Sequence, residues 1–277
     1  MEEAVLVTDM SSFLRQDALR ALEHIKNSLE DAETRWMRLH SQDQATGKSM
    51  KVLVKSEGAA IVEAEIELNL RRGYLVNTKL AKACVLDQLL EFHSILHKQC
   101  CKIGHAIDVL SKQLHCDGPE SDGIEDLSVL LYHTFQILKA ISHELHRAGD
   151  AVRLPSKRKF PYCTQLDHQY NPPLPSDILL DFSLHQARVL VEAFVVAPST
   201  KPVDTNLSNG TKKEFVGQVT QFRGQTIEIM RQTSVYLDIA GLEELLVTLD
   251  EQVALLCHIR NNADALLQCY PDYVKHL

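Results

Sequence analysis

Residues 62–70 read Val-Glu-Ala-Glu-Ile-Glu-Leu-Asn-Leu. Val62, Ala64, Ile66, Leu68 and Leu70 alternate with Glu63, Glu65, Glu67 and Asn69. A period of two places one set on each side of an extended chain, so this stretch predicts a strand with one buried and one wet face. It decides the fold class, because the long segments around it repeat in steps of three and four. The chain is therefore mixed rather than all-helical.

Just upstream, Lys51-Val52-Leu53-Val54-Lys55 pairs with this strand through a turn at Ser56, Glu57 and Gly58, giving a hairpin. Further back, from about Met10 to His40, apolar or small residues recur at Ala18, Leu22, Ile25, Leu29, Ala32, Trp36 and Leu39. That stripe is the seam of a helix seated against others. Residues Ser41 to Ser49 turn polar and end it.

Downstream, a long helix is predicted from near Asn77 to near His115. It carries Leu86, Leu89, His93, Leu96, Cys100, Ile103, Ile107, Leu110 and Leu114 in an unbroken heptad series, and stops at Cys116-Asp117-Gly118-Pro119. A capping box at Asp122 and Glu125 opens the next helix, with Ile124, Leu127, Leu131, Leu138, Ile141 and Leu145 on its seam and an end near Arg147 and Gly149. The short gap between them implies antiparallel neighbours.

Residues 150–176 are rich in proline and basic side chains and read as an irregular crossover. Lys157-Arg158-Lys159 within it reads as a solvated loop. A second β block follows. Ile178, Leu180, Phe182 and Leu184 alternate with Asp177, Asp181 and Ser183; after a turn at His185 and Gln186, Val189 to Val196 is apolar almost throughout, as in a central strand. Residues 198–213 form a polar loop. Strands are expected at Val216 to Phe222, Thr226 to Met230 and Val235 to Asp238. The last helix, Ala240 to Gln268, carries Leu242, Leu246, Leu249, Val253, Leu256, Ala263 and Leu267.

The simplest closure is α+β: an elongated antiparallel four-helix bundle with an antiparallel β-sheet domain inserted between helices, its strands merged into one sheet. Residues 10–46, 74–150 and 240–270 would form the helical domain, and residues 47–73 and 170–239 the β domain, with loops at 150–170 and 198–213. The expected helical core is Leu22, Leu29, Trp36, Leu89, Leu96, Ile103, Leu110, Leu131, Leu138, Leu249 and Leu256. Most of the apolar heptad surface should be spent on this core, and any leftover stripe would dock another protein.

Composition narrows the function. A chain of 277 residues with 45% hydrophobic and 24% charged residues is ordinary globular material. A net charge of -8 opposes binding to nucleic acid or to an anionic membrane, which both depend on clustered Lys and Arg. No apolar run approaches the ~20 residues of a membrane span, and Met1 to Met10 lacks a signal-peptide pattern, so a cytoplasmic protein is expected. Seven scattered cysteines suit reduced thiols rather than a disulfide framework.

Phosphate loops, nucleophile elbows, Cys-x-x-Cys pairs and zinc-protease helices are missing from the sequence. The one suggestive constellation is His93, His97, Cys101 and His105, spaced by four on one helix with Cys100 beside them, and it is the alternative metal site. The preferred reading leaves the chain without a metal or cofactor, because the heptad already assigns His93 and Cys100 to packing and a closed tetrahedral site draws ligands from more than one element. The acidic row Glu63, Glu65 and Glu67 reads as a solvated strand face, open to a basic partner, rather than as catalytic carboxylates.

Leu174-Pro175-Ser176-Asp177-Ile178-Leu179, followed by a second apolar strand, resembles the Rogdi family of leucine-zipper-domain proteins, where this motif opens the second β block. Val62 to Leu70 is similar to that family's first hairpin, and Phe222-Arg223-Gly224-Gln225-Thr226-Ile227-Glu228-Ile229 with the helix after it to its C-terminal segment. The resemblance implies a helical domain plus an antiparallel β domain. It also implies a non-enzymatic subunit of the RAVE-type complex that regulates assembly of the vacuolar and endosomal proton-pumping ATPase, bound to a DmX-like β-propeller protein and to ATPase subunits. Association with vacuolar or endosomal membranes would then be peripheral, through those partners. The alternative, taken from the stripes alone, is a self-associating helical scaffold or tether.

Overall fold

The structure is a computed structural model that describes residues 2–71, 74–115, 124–155, 169–203 and 215–269. The chain divides into two compact units: Met1–Arg35, His93–Gly149 and Glu244–Leu277 form one, and Trp36–Phe92 and Asp150–Glu243 the other.

Helical segments dominate the first unit. Helices α1 (Glu2–Ser12) and α2 (Leu19–Met37) run on as one rod through a π-helical stretch, Phe13–Ala18. The buried series explains the wide turn. Leu14, Ala18 and Leu22 are two consecutive steps of four, which overshoots the 3.6-residue α-helical turn; one i→i+5 turn absorbs the excess and keeps all three inside. Helices α3 (Asp87–His115), α4 (Ile124–Arg153) and α5 (Leu242–Gln268) make the other three rods.

The expectation of an elongated four-helix bundle carrying one inserted sheet does not hold. The strands form two separate antiparallel sheets. The first comprises β1 (His40–Thr46), β2 (Met50–Glu57), β3 (Ala60–Arg71), β4 (Tyr74–Leu80) and β6 (Tyr170–Asn171) in that order, with β5 (Cys84–Val85) paired to β3. The second, ordered β7-β8-β10-β9, comprises β7 (Ile178–His185), β8 (Arg188–Pro198), β9 (Val219–Phe222) and β10 (Gln225–Asp238). Where β10 nears β1, side chains make the junction in place of a backbone ladder. The Ser41 hydroxyl donates to the Asp238 carbonyl and accepts from the Ala240 N–H, both at 3.2 Å, and Asp43 accepts from the Asp238 N–H at 2.8 Å. A β-carbon on Gly47 would lie 3.0 Å from Val235 Cγ1, so the β1–β2 turn needs glycine to close on β10.

Other boundaries also differ from expectation. The polar segment after the first helix, where no strand was expected, is edge strand β1, whose seven residues all find partners on β2. Residues expected at the start of the long helix instead form β4 and β5; the apolar heptad begins only at Leu86, and α3 starts with it. The two strands expected after residue 226 are one, β10, with a register shift between Ile229 and Arg231 that turns Met230 outward. Helix α4 continues past Gly149 to Arg153. The capping residue Asp122, the Lys157 to Lys159 triplet and most of the 198–213 loop lie outside the described residues.

Helix α4 ends against the β7–β8 turn, inside the second unit. Gln186 and Ala187 both take positive φ, 56° and 59°, the geometry of a two-residue hairpin turn that matches strand twist. Their N–H groups donate to the carbonyls of Arg153 and Val152 at 2.9 and 3.0 Å, supplying partners for carbonyls the helix end leaves over. Gln88, near the start of α3, completes the joint. Its amide nitrogen donates toward the carbonyls of Ala151, Leu154 and Leu184 at 2.9, 3.1 and 3.0 Å, and its amide oxygen accepts from the Leu184 N–H at 2.7 Å. One side chain thus takes the place of a neighbouring strand for Leu184 and caps α4 as well.

Candidate interaction surface

The four metal-candidate residues do not converge. Steps of four on an α-helix drift ~40° each, so the series from His93 to His105 winds round the helix instead of facing one point. Glu33 on α2 receives the first two: His97 Nδ1 lies 2.8 Å and His93 Nε2 3.4 Å from its Oε1, with the rings stacked at 6.4 Å. Cys101 and His105 are exposed and face elsewhere. Among the described residues no group of three or more His, Cys, Asp or Glu side chains is arranged to hold a metal ion. Burial, with the charges of Glu33 and Glu30 adding to it, pushes the neighbouring Cys100 thiol up to about 12, so it stays protonated and packs as a small apolar group.

Of the expected core residues, Leu22, Leu29, Leu96, Ile103, Leu110, Leu131, Leu138, Leu249 and Leu256 are buried in the helical unit. Trp36 and Leu89 are buried in the sheet-bearing unit, where Trp36 packs on Phe92 with ring centroids 5.4 Å apart. Leu174, Pro175, Ser176 and Asp177 form the turn into β7: the Ile178 N–H donates to the Pro175 carbonyl, and the Asp177 carbonyl accepts from the Val196 N–H at 2.8 Å. The motif starts a strand.

The acidic row on β3 is matched by lysines on the strands beside it. Lys55 on β2 lies 3.4 Å from Glu63, Lys79 on β4 lies 2.5 Å from Glu65, and Lys51 stands opposite Glu67 in register. The hydrogen bond to Glu65 and its charge raise the Lys79 pKa. The face is thus close to neutral rather than an acidic patch for a basic partner.

A polar seam in the second sheet escaped the sequence reading. Asp181 and Ser183, expected on a wet face, are buried, and so is Glu192 in the middle of the apolar strand β8, only 7% exposed. Asp181 and Ser234 flank Glu192 in register. Gln232 Nε2 donates to Glu192 at 2.9 Å, while its own oxygen accepts from the Phe215 N–H at 2.8 Å. Burial raises the Glu192 pKa, and the Gln232 hydrogen bond opposes the shift. Nearby, Tyr236 OH lies 3.0 Å from His185 Nδ1 under the Arg188 guanidinium, and burial raises the phenol as well, with the Glu192 charge assisting. Two buried acids side by side are a pattern seen at catalytic sites. Here Glu192 is committed to Gln232 within the sheet.

An open concave surface lies in the helical unit. A groove of about 900 Å³ runs between α3 and α4, from Cys101 to Leu114 on one side and from Asp126 to Ile141 on the other. At 1.5 Å per residue it is ~20 Å long. Ala106, Val109, Leu110, Leu130, Ile137 and Ala140 give it an apolar floor, and Val109 keeps 36% of its surface exposed. Lys102, His105, Lys112, His133 and Asp126 edge it, all exposed. Leu110, Leu114, Leu127 and Ile141 of the two stripes line the groove, and Val109, Leu130, Ile137 and Ala140, which lie off the stripes, widen it. No helix among the described residues is long and apolar enough to cross a membrane.

A family model described as "Rogdi leucine zipper containing protein" matches residues 13–242. The chain belongs to the Rogdi family. The match takes in α2, both sheets, α3, α4 and the Leu174 to Asp177 turn, and so covers the grooved helix pair as well as the strands on which the resemblance was noticed. A comparison with curated proteins finds no match.

Proposed function

We propose that this Rogdi family chain is a non-catalytic scaffold subunit of a complex that promotes assembly of the vacuolar or endosomal proton-pumping ATPase. It acts by binding a DmX-like β-propeller protein and subunits of the pump, and reaches the membrane only through them. The observation that carries the reading is the family match over residues 13–242, which spans both compact units. Two features of the molecule support a binding role. Glu63, Glu65, Glu192, His93 and His97 are engaged by salt bridges or hydrogen bonds within the chain, and an open apolar groove lies on a helix pair, a shape suited to holding a protein segment. A scaffold of this kind supports acidification by raising the share of pumps whose cytosolic and membrane sectors are joined. The test is to delete the gene and measure the cytosolic sector retained on isolated acidic organelles. The reading predicts a drop that the wild-type chain restores; an unchanged amount of joined pump overturns it.

A further inference from the structure

The α3/α4 groove restricts what can occupy it. Its floor is apolar over ~20 Å, the length of a helix of three to four turns, and its walls are two helices, so a third helix would complete a three-helix seam. Its exposed edge on α3 holds two lysines, Lys102 and Lys112, in a chain whose net charge is -8. Neither lysine forms an ion pair among the described residues. The two are ten positions apart, ~15 Å along the axis and ~80° apart around it, and that axial spacing is close to three turns of a bound helix. Among the described residues Asp126 is the only acid on the groove lining.

We propose that the groove takes an amphipathic helix of a partner protein whose flank carries two acidic residues three turns apart, set to meet Lys102 and Lys112. The proposal rests on the reading that the chain works by binding, and it names the chemistry of the bound segment. A second copy docked groove to groove is the poorer occupant, because each lining carries two lysines and, among the described residues, one acid, Asp126. The contact has an apolar centre, where Val109 and Ile137 meet the partner's i, i+3, i+4 and i+7 positions, and a charged edge that fixes direction and register.

The experiment uses the purified full-length chain and two fluorescent helical peptides. Both have leucines at i, i+3, i+4 and i+7; one has two glutamates three turns apart on the flank, and the other has lysines there. Anisotropy titration should show the glutamate peptide binding about tenfold or more tightly than the lysine peptide. The preference should reverse in a Lys102→Glu/Lys112→Glu protein, while Val109→Glu should abolish binding of both. Val109 is already exposed, and circular dichroism and melting checks confirm that these variants fold. Equal binding of the two peptides would overturn the charge assignment. Failure of both to bind would overturn the proposal, and if Val109→Glu then turned a self-associating protein into a monomer, the occupant would be a second copy. No pump component enters this titration, so it fails or succeeds separately from the assembly reading.

Discussion

Replacing Gln88 by alanine removes the side chain that joins the start of α3, the end of α4 and strand β7. Four contacts depend on it: three carbonyls approached by the amide nitrogen and one N–H accepted by the amide oxygen. An amide has only two N–H groups, so the three carbonyls share them, and about three net hydrogen bonds are lost. At ~1 kcal/mol each, less a few tenths regained because alanine favours the helix, Gln88→Ala should destabilise the sheet-bearing unit by roughly 2–3 kcal/mol. Gln88→Glu should be worse. It keeps the acceptor for Leu184 but turns a carboxylate toward three carbonyl oxygens. The single tryptophan gives a local readout, because Trp36 packs on Phe92 in the same unit. Urea titration followed by its fluorescence would give the midpoint and slope for wild type and both variants. A Gln88→Ala protein within 0.5 kcal/mol of wild type, by the usual scale of surface substitutions, or a Gln88→Glu protein as stable as wild type, would refute the argument that this amide acts as a surrogate strand.

Glu192→Gln should stabilise the protein at neutral pH. Burial holds the native carboxyl above its ordinary pKa, so the native state binds this proton more tightly than the unfolded chain; stability is full below the ordinary carboxylate pKa and is lost as pH climbs through the raised value. Melting curves of the two proteins should therefore converge at acid pH and separate toward neutrality, and a constant difference would contradict this. Leu96→Ala and Leu249→Ala each empty a buried site in the helical unit and should cost roughly 2–5 kcal/mol by chemical denaturation monitored by circular dichroism; little change in midpoint would mean the stripe is not core. Ala187→Gly relieves a left-handed alanine in the β7–β8 turn and should raise stability by roughly 0.5–1 kcal/mol, read as a small rise in melting temperature, with a fall arguing against that turn geometry.

The parts of the fold that could be read from sequence are those where one side of an element is uniformly apolar. Val62 to Leu70 gave β3 and its wet face, and the leucine steps of α3 and α4 gave helices. Strand β1, with Ser41, Gln42, Asp43 and Gln44, has no such contrast: it is an edge strand held by its ladder to β2, and a backbone ladder leaves no mark on side-chain choice. The split into two sheets was hidden for a related reason. It depends on the hydroxyl of Ser41, the carboxylate of Asp43 and the missing β-carbon of Gly47, each unremarkable in the sequence. Glu192 could have been noticed as the one acid inside the apolar run from Val189 to Val196. Its glutamine partner lies 40 residues away and only the strand register brings it near. The groove was beyond reach because its lining mixes seam positions such as Leu110 and Ile141 with off-seam Val109 and Ile137, and an opening between two helices depends on how they are spaced. The family was legible from short strings such as Leu174 to Asp177, the turn that leads into β7.

The central claim is that this chain works by holding other proteins to the proton pump. The most direct measurement is co-purification: the full-length chain, tagged and expressed at its natural level, is isolated from cells and the proteins retained with it are identified and quantified. The account predicts a β-propeller protein of the DmX type together with subunits of the pump's cytosolic sector, recovered in fixed proportion to the bait. Recovery of the intact, folded chain with neither would contradict it.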